Sequence, residues 1–169
     1  MWLVDRPGTF WRRDRFELWG TEKLSVVHCD RVVLTILKPK YPEFAEKIGA
    51  LDSNGTGPQK PPALFVLNCH LKAGFTNARR RLQQSFKALD AARKQVDKMG
   101  DAVGKIAVIV CGDFNSGGRT AVRELLTTGE IHKEYREYDD GANTVSLSAT
   151  CLLLCSLWCA CVCVCVCLH

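Results

Sequence analysis

Two pairs of polar residues, each following an apolar run, have the types and spacing to do chemistry. Asn68 and His70 lie at the end of the run ALFVLNCH. Asp113 and Asn115 lie at the end of the run KIAVIVCGDFN. Residues two positions apart in an extended chain point to the same side. If the two runs form neighbouring parallel strands, the four side chains converge at the sheet edge where open α/β sheets bind ligands.

These residue types suit the hydrolysis of a phosphate ester. Asp113 could orient or deprotonate a water molecule, or help to hold a metal ion, and His70 could transfer a proton. Asn115 could donate a hydrogen bond to a phosphate oxygen, with Asn68 and Lys72 as further binding residues. Structural interpretations stay open: Asp-x-Asn is common in turns, a histidine ending a strand often serves packing, and a lysine is most often solvent-exposed.

The surrounding sequence predicts the elements that position these residues. Strands are predicted at 8–18, 31–37, 63–67 and 105–111, helices at 78–99 and 120–127, and a proline-rich loop at 38–62. The longer helix is predicted from apolar residues that recur at steps of three and four. The resulting order is an α/β pattern, in which a strand–helix–strand unit implies two parallel strands of one sheet.

Composition sets limits on the class of protein. A chain of 169 residues with 47% hydrophobic residues suits one domain with a buried core. The net charge of +5 is compatible with an anionic partner and equally with ordinary solubility. Seven of the ten cysteines lie between Cys151 and Cys167, so the rest of the chain resembles a reduced intracellular protein, cytoplasmic or nuclear. The first residues have no apolar stretch typical of a secretory signal.

The apolar end of the chain is treated separately, as a domain at 1–146 followed by a tail at 147–169. The tail has no charged residue and ends in alternating cysteine and valine. It could be a membrane anchor across 147–168, or a metal-binding tract, although it lacks CxxC spacing. The favoured interpretation is a non-native end, because a repeated TG dinucleotide encodes this alternation. We therefore expect the tail not to pack against the domain.

The two motifs resemble the endonuclease/exonuclease/phosphatase superfamily, which has the DNase I-like fold, and most closely its deadenylase and nocturnin branch. VIVCGDFNSGG at 108–118 is similar to the family strand that ends in GDFNS. NCHLKAG at 68–74 resembles the family's N-T-H-L motif, with Cys69 in place of threonine. GTFWRRDRFEL at 8–18 is similar to a third family strand, and the whole resemblance spans residues 6–140.

The resemblance implies a partial DNase I-like α/β sandwich, a mixed sheet with helices that lacks its N- and C-terminal strands. It also implies magnesium-dependent hydrolysis of phosphate esters, in RNA or DNA or in a phosphorylated small molecule. Asp113 and Asn115 would belong to the catalytic centre, with Asp113 as a metal ligand, and His70 would be the motif histidine. The family's metal-binding Glu and its terminal S-D-H motif have no counterpart in this sequence, so the principal Mg²⁺ ligand is missing.

The isolated chain is therefore expected to show little or no hydrolytic activity. Three other functions stay open. The chain could be a catalytically inactive remnant that binds phosphate or nucleic acid. It could be a phosphatase of the same fold that acts on inositol phosphates or a nucleotide cofactor. It could also be a membrane protein anchored by its tail. The sequence identifies no protein partner.

Overall fold

The computed structural model describes residues 7–40, 60–117 and 120–131, together with short strands at 138–139, 143–144 and 162–164. The strands in these ranges are β1 (Phe16–Leu18), β2 (Val26–Cys29), β3 (Val32–Pro39), β4 (Ala63–His70), β5 (Ile106–Asp113), β6 (Tyr138–Asp139), β7 (Asn143–Thr144) and β8 (Val162–Val164). The α-helices there are α1 (Glu22–Ser25), α2 (Ala78–Met99) and α3 (Ala121–Thr128). The fold is α/β, with a mixed sheet and helices.

The main sheet is organised around β3 and β4. One edge of β3 pairs antiparallel with β2 and then with β1, and its other edge pairs antiparallel with β4. β4 and β5 pair parallel from Ala63 beside Ile106 to His70 beside Asp113. The predicted parallel strand–helix–strand unit is therefore confirmed, with α2 as its connection.

Strands predicted from β-branched and apolar runs are present, with shifted ends. β3, β4 and β5 fall where the sequence predicted them, and β4 continues to His70. The prediction of a strand over 8–18 was wrong in extent, because only Phe16–Leu18 is strand. The backbone N–H groups of Arg15 and Phe16 both donate to the carbonyl of Arg12, so the chain turns just before β1.

The sequence analysis missed the helix α1 and the short strands β2, β6 and β7. β2 has four residues and directly follows the short helix α1, so it offers too little alternation to be recognised. It forms a hairpin with β3 through a turn at Asp30, whose φ of 53° is in the left-handed region. Asp is among the residues that tolerate this conformation.

The core lies between one face of the sheet and the helices. It contains Ile36, Phe65, Leu67 and Val108 from the strands and Ala88, Ala92 and Val122 from the helices. Alanine on α2 allows the helix backbone to approach the sheet closely. Toward its N-terminal end, however, α2 also buries the polar residues Arg81 and Gln84, which the apolar stripe did not predict.

The tail differs from the expectation in one respect. Val162–Val164 pair in parallel with β5, beside Val108 to Val110, although the tail was expected not to pack against the domain. An unpaired strand edge offers free backbone groups to any chain of high β-propensity, and valine has that propensity. The other residues of 147–169, and residues 41–59 of the predicted loop, lie outside the described ranges. None of the helices that the structure describes is long and apolar enough to cross a membrane.

Candidate functional site

The ends of β4 and β5 bring His70 and Asp113 together. The two residues are register partners, and the N–H of Leu71 donates to the carbonyl of Asp113 across 2.9 Å. Register partners in neighbouring strands project their side chains to the same face of a sheet. Cys69 and Phe114, the alternate residues, are buried in the core. His70 and Asp113 therefore share the face opposite the helices, where His70 is half-buried and Asp113 is exposed.

A turn after β5 places Asn115 beside Asp113. The backbone N–H of Asn115 donates to Oδ1 of Asp113 over 2.8 Å, and Asn115 has a φ of 47°. Its side-chain Nδ2 donates to the carbonyl of Leu71 over 2.9 Å. Asp113 and Asn115 thus form the Asx turn that the structural interpretation expected. The same turn joins the loops that follow β4 and β5. An amide nitrogen carries two hydrogens, so one remains for a ligand.

Asn68 makes a structural hydrogen bond, while its predicted role in substrate binding stays a prediction. Its Nδ2 donates to the carbonyl of Gly8 over 2.8 Å, which holds the chain before β1 against β4. Asn68 shares a face with His70, two positions along the strand. The residue that was predicted to bind substrate therefore ties together two segments that are distant in sequence. The tether is a long-range contact, and no local pattern in the sequence indicates it.

Gly112 lets the two strand ends approach each other. Its φ is 114°, and a Cβ at this position would overlap the carbonyl oxygen of Cys69. The same Cβ would lie 2.8 Å from Oδ1 of Asn68, so the Asn68 side chain would also have to shift. Glycine is therefore required for the spacing between His70 and Asp113.

Positive charge borders the site on the side of the loop after β4. Lys72 is exposed, two residues beyond His70. Arg80 forms an ion pair with Asp30 at 2.9 Å, which joins the N-terminal part of α2 to the β2–β3 turn. Arg81, in contrast, is 4% exposed and donates to the carbonyls of Lys72 and Gly74. The arginine run that starts α2 therefore divides into exposed and buried members.

Cys69 does not supply chemistry to the site. Burial raises the pKa of its thiol to about 12, and the neighbouring Cys111 adds to the effect. The thiolate is the reactive form of cysteine, so Cys69 stays a neutral, apolar side chain at physiological pH. This agrees with its position in the core.

The donor set for Mg²⁺ is incomplete within the described ranges. Those ranges hold no group of three or more His, Cys, Asp or Glu side chains arranged to bind a metal ion. Mg²⁺ in phosphoryl-transfer sites is usually held by one or two carboxylates together with substrate phosphates and water. Asp113 could be one such ligand, but by itself it does not complete a magnesium site.

No protein-family model matches this sequence, and no curated protein matches it. The chemistry that the site could carry out is therefore inferred from its own geometry. An exposed carboxylate and an imidazole lie at the carboxyl ends of two parallel strands, and an exposed lysine follows the imidazole by two residues. Such a group can orient or deprotonate water, exchange a proton with a leaving oxygen and attract an anion.

Proposed function

We propose that this chain is part of a magnesium-dependent phosphodiesterase or phosphatase of the endonuclease/exonuclease/phosphatase superfamily, with a nucleic acid as its substrate. The observation that supports this most is the register of β4 and β5, which pairs His70 with Asp113. The hydrogen bonds from Asn115 to Asp113 and to Leu71 add support, because they fix the GDFN turn against the NCHL segment. The fold of the longer protein would be the DNase I-like sandwich.

The described residues would have the following roles in hydrolysis. The carboxylate of Asp113 orients or deprotonates the attacking water, while its contact with the Asn115 N–H holds it in one direction. His70 donates a proton to, or stabilises charge on, a phosphate oxygen. Lys72 attracts the phosphate. Mg²⁺ belongs to this proposal as the cofactor of the family, with Asp113 as one ligand.

The test uses the chain extended by the coding sequence that flanks it in the genome. Asp113→Asn should lower the turnover of a fluorescein-labelled RNA by about 10²–10⁴-fold, because an amide cannot act as a base. Binding of the RNA should change far less, since the shape of the side chain is retained. Hydrolysis followed by gel electrophoresis, and binding followed by fluorescence anisotropy, separate the two quantities.

Asp101→Asn is the matched control. Asp101 is an exposed carboxylate that precedes β5, at the other end of the strand from Asp113, and its partner is Lys60 at 3.0 Å. This variant should keep normal turnover. Near-normal turnover of Asp113→Asn would remove Asp113 from the catalytic role, whereas a lack of RNA hydrolysis by the unaltered extended chain would remove the hydrolase proposal.

A second candidate is an inactive module that binds phosphate or nucleic acid. It is favoured by the incomplete metal-ligand set within the described ranges and by the exposed ammonium of Lys72. This candidate predicts that the extended chain binds the labelled RNA and that Lys72→Ala weakens the binding. Unlike the first proposal, it predicts no hydrolysis of the RNA at any magnesium concentration.

A further inference from the structure

The loop that follows β4 is fixed by hydrogen bonds from side chains. We call residues Leu71–Gly74 the anchored loop. All four of its carbonyls accept from side-chain nitrogens: Leu71 from Asn115, Lys72 and Gly74 from Arg81, and Ala73 from Asn77. A four-residue surface loop ordinarily leaves such groups to water. The backbone of the anchored loop is therefore held in one conformation from several sides.

Two of the anchors are buried polar residues of α2. Gln84 is 1% exposed, and its Oε1 accepts from the backbone N–H of Lys72 over 2.9 Å. Nη1 of Arg81 donates to the carbonyl of Gly74 over 2.6 Å and to that of Lys72 over 3.4 Å. Both backbone groups of Lys72 are thus held by side chains three residues apart on one helix.

Burying an amide or a guanidinium is costly unless the group is hydrogen-bonded, and Gln84 and Arg81 meet this condition through the backbone of the anchored loop. Leucine or methionine at 81 and 84 would continue the apolar face of α2 without that cost. What they could not do is fix the direction in which the anchored loop presents Lys72.

We propose that Arg81 and Gln84 are positioning residues that hold Lys72 where its ammonium meets a phosphate group lying beside His70 and Asp113. This inference rests on the proposed function, because it assumes that a phosphate group occupies the site. A lysine on a loop that is already ordered binds an anion without the entropic cost of ordering the loop. Arg81 and Gln84 need not touch the ligand and would act through Lys72.

The experiment measures binding of a fluorescein-labelled single-stranded RNA to the full chain by anisotropy. Gln84→Met removes the acceptor for the Lys72 N–H and should weaken binding by about tenfold. Gln83→Met is the matched control, because Gln83 is exposed on the same helix and should tolerate the change without effect. Competition by unlabelled RNA and by inorganic pyrophosphate distinguishes a polymer from a small phosphorylated ligand as the source of the phosphate.

A double-mutant cycle separates positioning from simple stabilisation. In a Lys72→Ala background, Gln84→Met should cause no further loss of affinity, because the residue through which it acts is gone. Equal weakening with and without Lys72 would overturn the inference and show that Gln84 merely stabilises the fold. Circular dichroism identifies a temperature at which each variant is folded.

Arg81→Lys is the second variant, in case Gln84→Met does not fold. Lysine keeps the charge but lacks the planar fork of donors that reaches both loop carbonyls. It should weaken binding in the presence of Lys72 only, and Arg79→Lys, at an exposed position, should not. Binding that depends on Lys72 but is unaffected by changes at 81 and 84 would overturn the inference alone. If the unaltered chain binds neither RNA nor pyrophosphate, this inference fails, whereas the proposed function is decided separately by the hydrolysis assay on the extended chain.

Discussion

At the end of β5, the backbone of Gly112 occupies a space that no side chain can share. Its φ of 114° and the predicted overlap of a Cβ with the carbonyl of Cys69 both exclude other residues. The pairing of the strands that carry His70 and Asp113 therefore depends on the absence of a side chain at Gly112. This makes Gly112 the residue through which the spacing of the site is most easily disturbed.

Gly112→Ala should lower the free energy of unfolding by roughly 2 kcal/mol or more, from the left-handed backbone and the steric overlap together. Urea denaturation followed by circular dichroism measures the change. Gly117→Ala is the control, because a Cβ there meets nothing within 4 Å, and it should stay within about 0.5 kcal/mol of the original chain. Equal stability of the two variants would mean that the strand ends do not approach as described.

Local sequence was sufficient to predict part of the site. The convergence of His70 and Asp113 followed from apolar runs ending at those residues and from the parallel pairing of the strands. The contact between Asn68 and Gly8, and the inward direction of Arg81, could not be predicted. These contacts are set by how distant segments pack together, and a periodic pattern carries no information about that.

At the scale of elements, α3 begins with a side-chain cap. Oγ1 of Thr120 accepts from the N–H of Arg123 over 3.3 Å and from the hydroxyl of Ser116 over 2.7 Å. The helix was predicted at nearly its observed position, because its apolar residues Val122 and Leu125 have helical spacing. The capping role of Thr120, a residue type favoured at this position, was not predicted. The bond from Ser116 also joins the residue that follows Asn115 to this cap.

Thr120→Ala should destabilise the protein by about 1 kcal/mol, which is typical for loss of an N-cap. Thermal unfolding by circular dichroism measures the effect. Thr127→Ala provides the comparison, because Thr127 is exposed near the end of the same helix and its hydroxyl bonds only to carbonyls of its own helix. If both threonines can be replaced at equal cost, the cap contributes nothing.

The helices and strands differ in how well the sequence predicts them. α2 is long and periodic, and β4 and β5 are long and apolar, so tertiary packing reinforces what their sequences favour. β1 and β2 have three and four residues, and they form because β3 offers an edge to pair with. Strands that depend on a partner in this way have little signal of their own.

At the scale of the whole molecule, the tail changes the edge of the main sheet. With Val162–Val164 in place, β5 is paired on both sides between Val108 and Val110. Without them, the backbone groups of β5 on that side would be free to pair with another chain. Among the described residues, Val162–Val164 therefore cover an edge of β5 that would otherwise be open to pairing with another chain.

Deleting residues 147–169 should increase self-association of the chain, which sedimentation velocity detects as a faster-sedimenting, concentration-dependent species. Cys163→Pro in the full-length chain is the companion variant, because it removes a backbone N–H from β8 and leaves the remainder of the tail in place. Cys163→Pro should also increase self-association, but by less than the deletion. A truncated chain that stays monomeric, with unaltered thermal unfolding, would show that the β5–β8 pairing contributes nothing to stability and does not prevent self-association.

The parallel pairing of β4 with β5 also has a consequence for synthesis. Since the whole of α2 lies between the two strands, their contact forms only after the ribosome has released the residues up to Asp113. Until then a nascent chain carries β4 with one unpaired edge. Pairings of this kind close slowly because of the entropy of the intervening chain. The order of synthesis therefore places closure of the β4–β5 pair after the whole of α2 has been made.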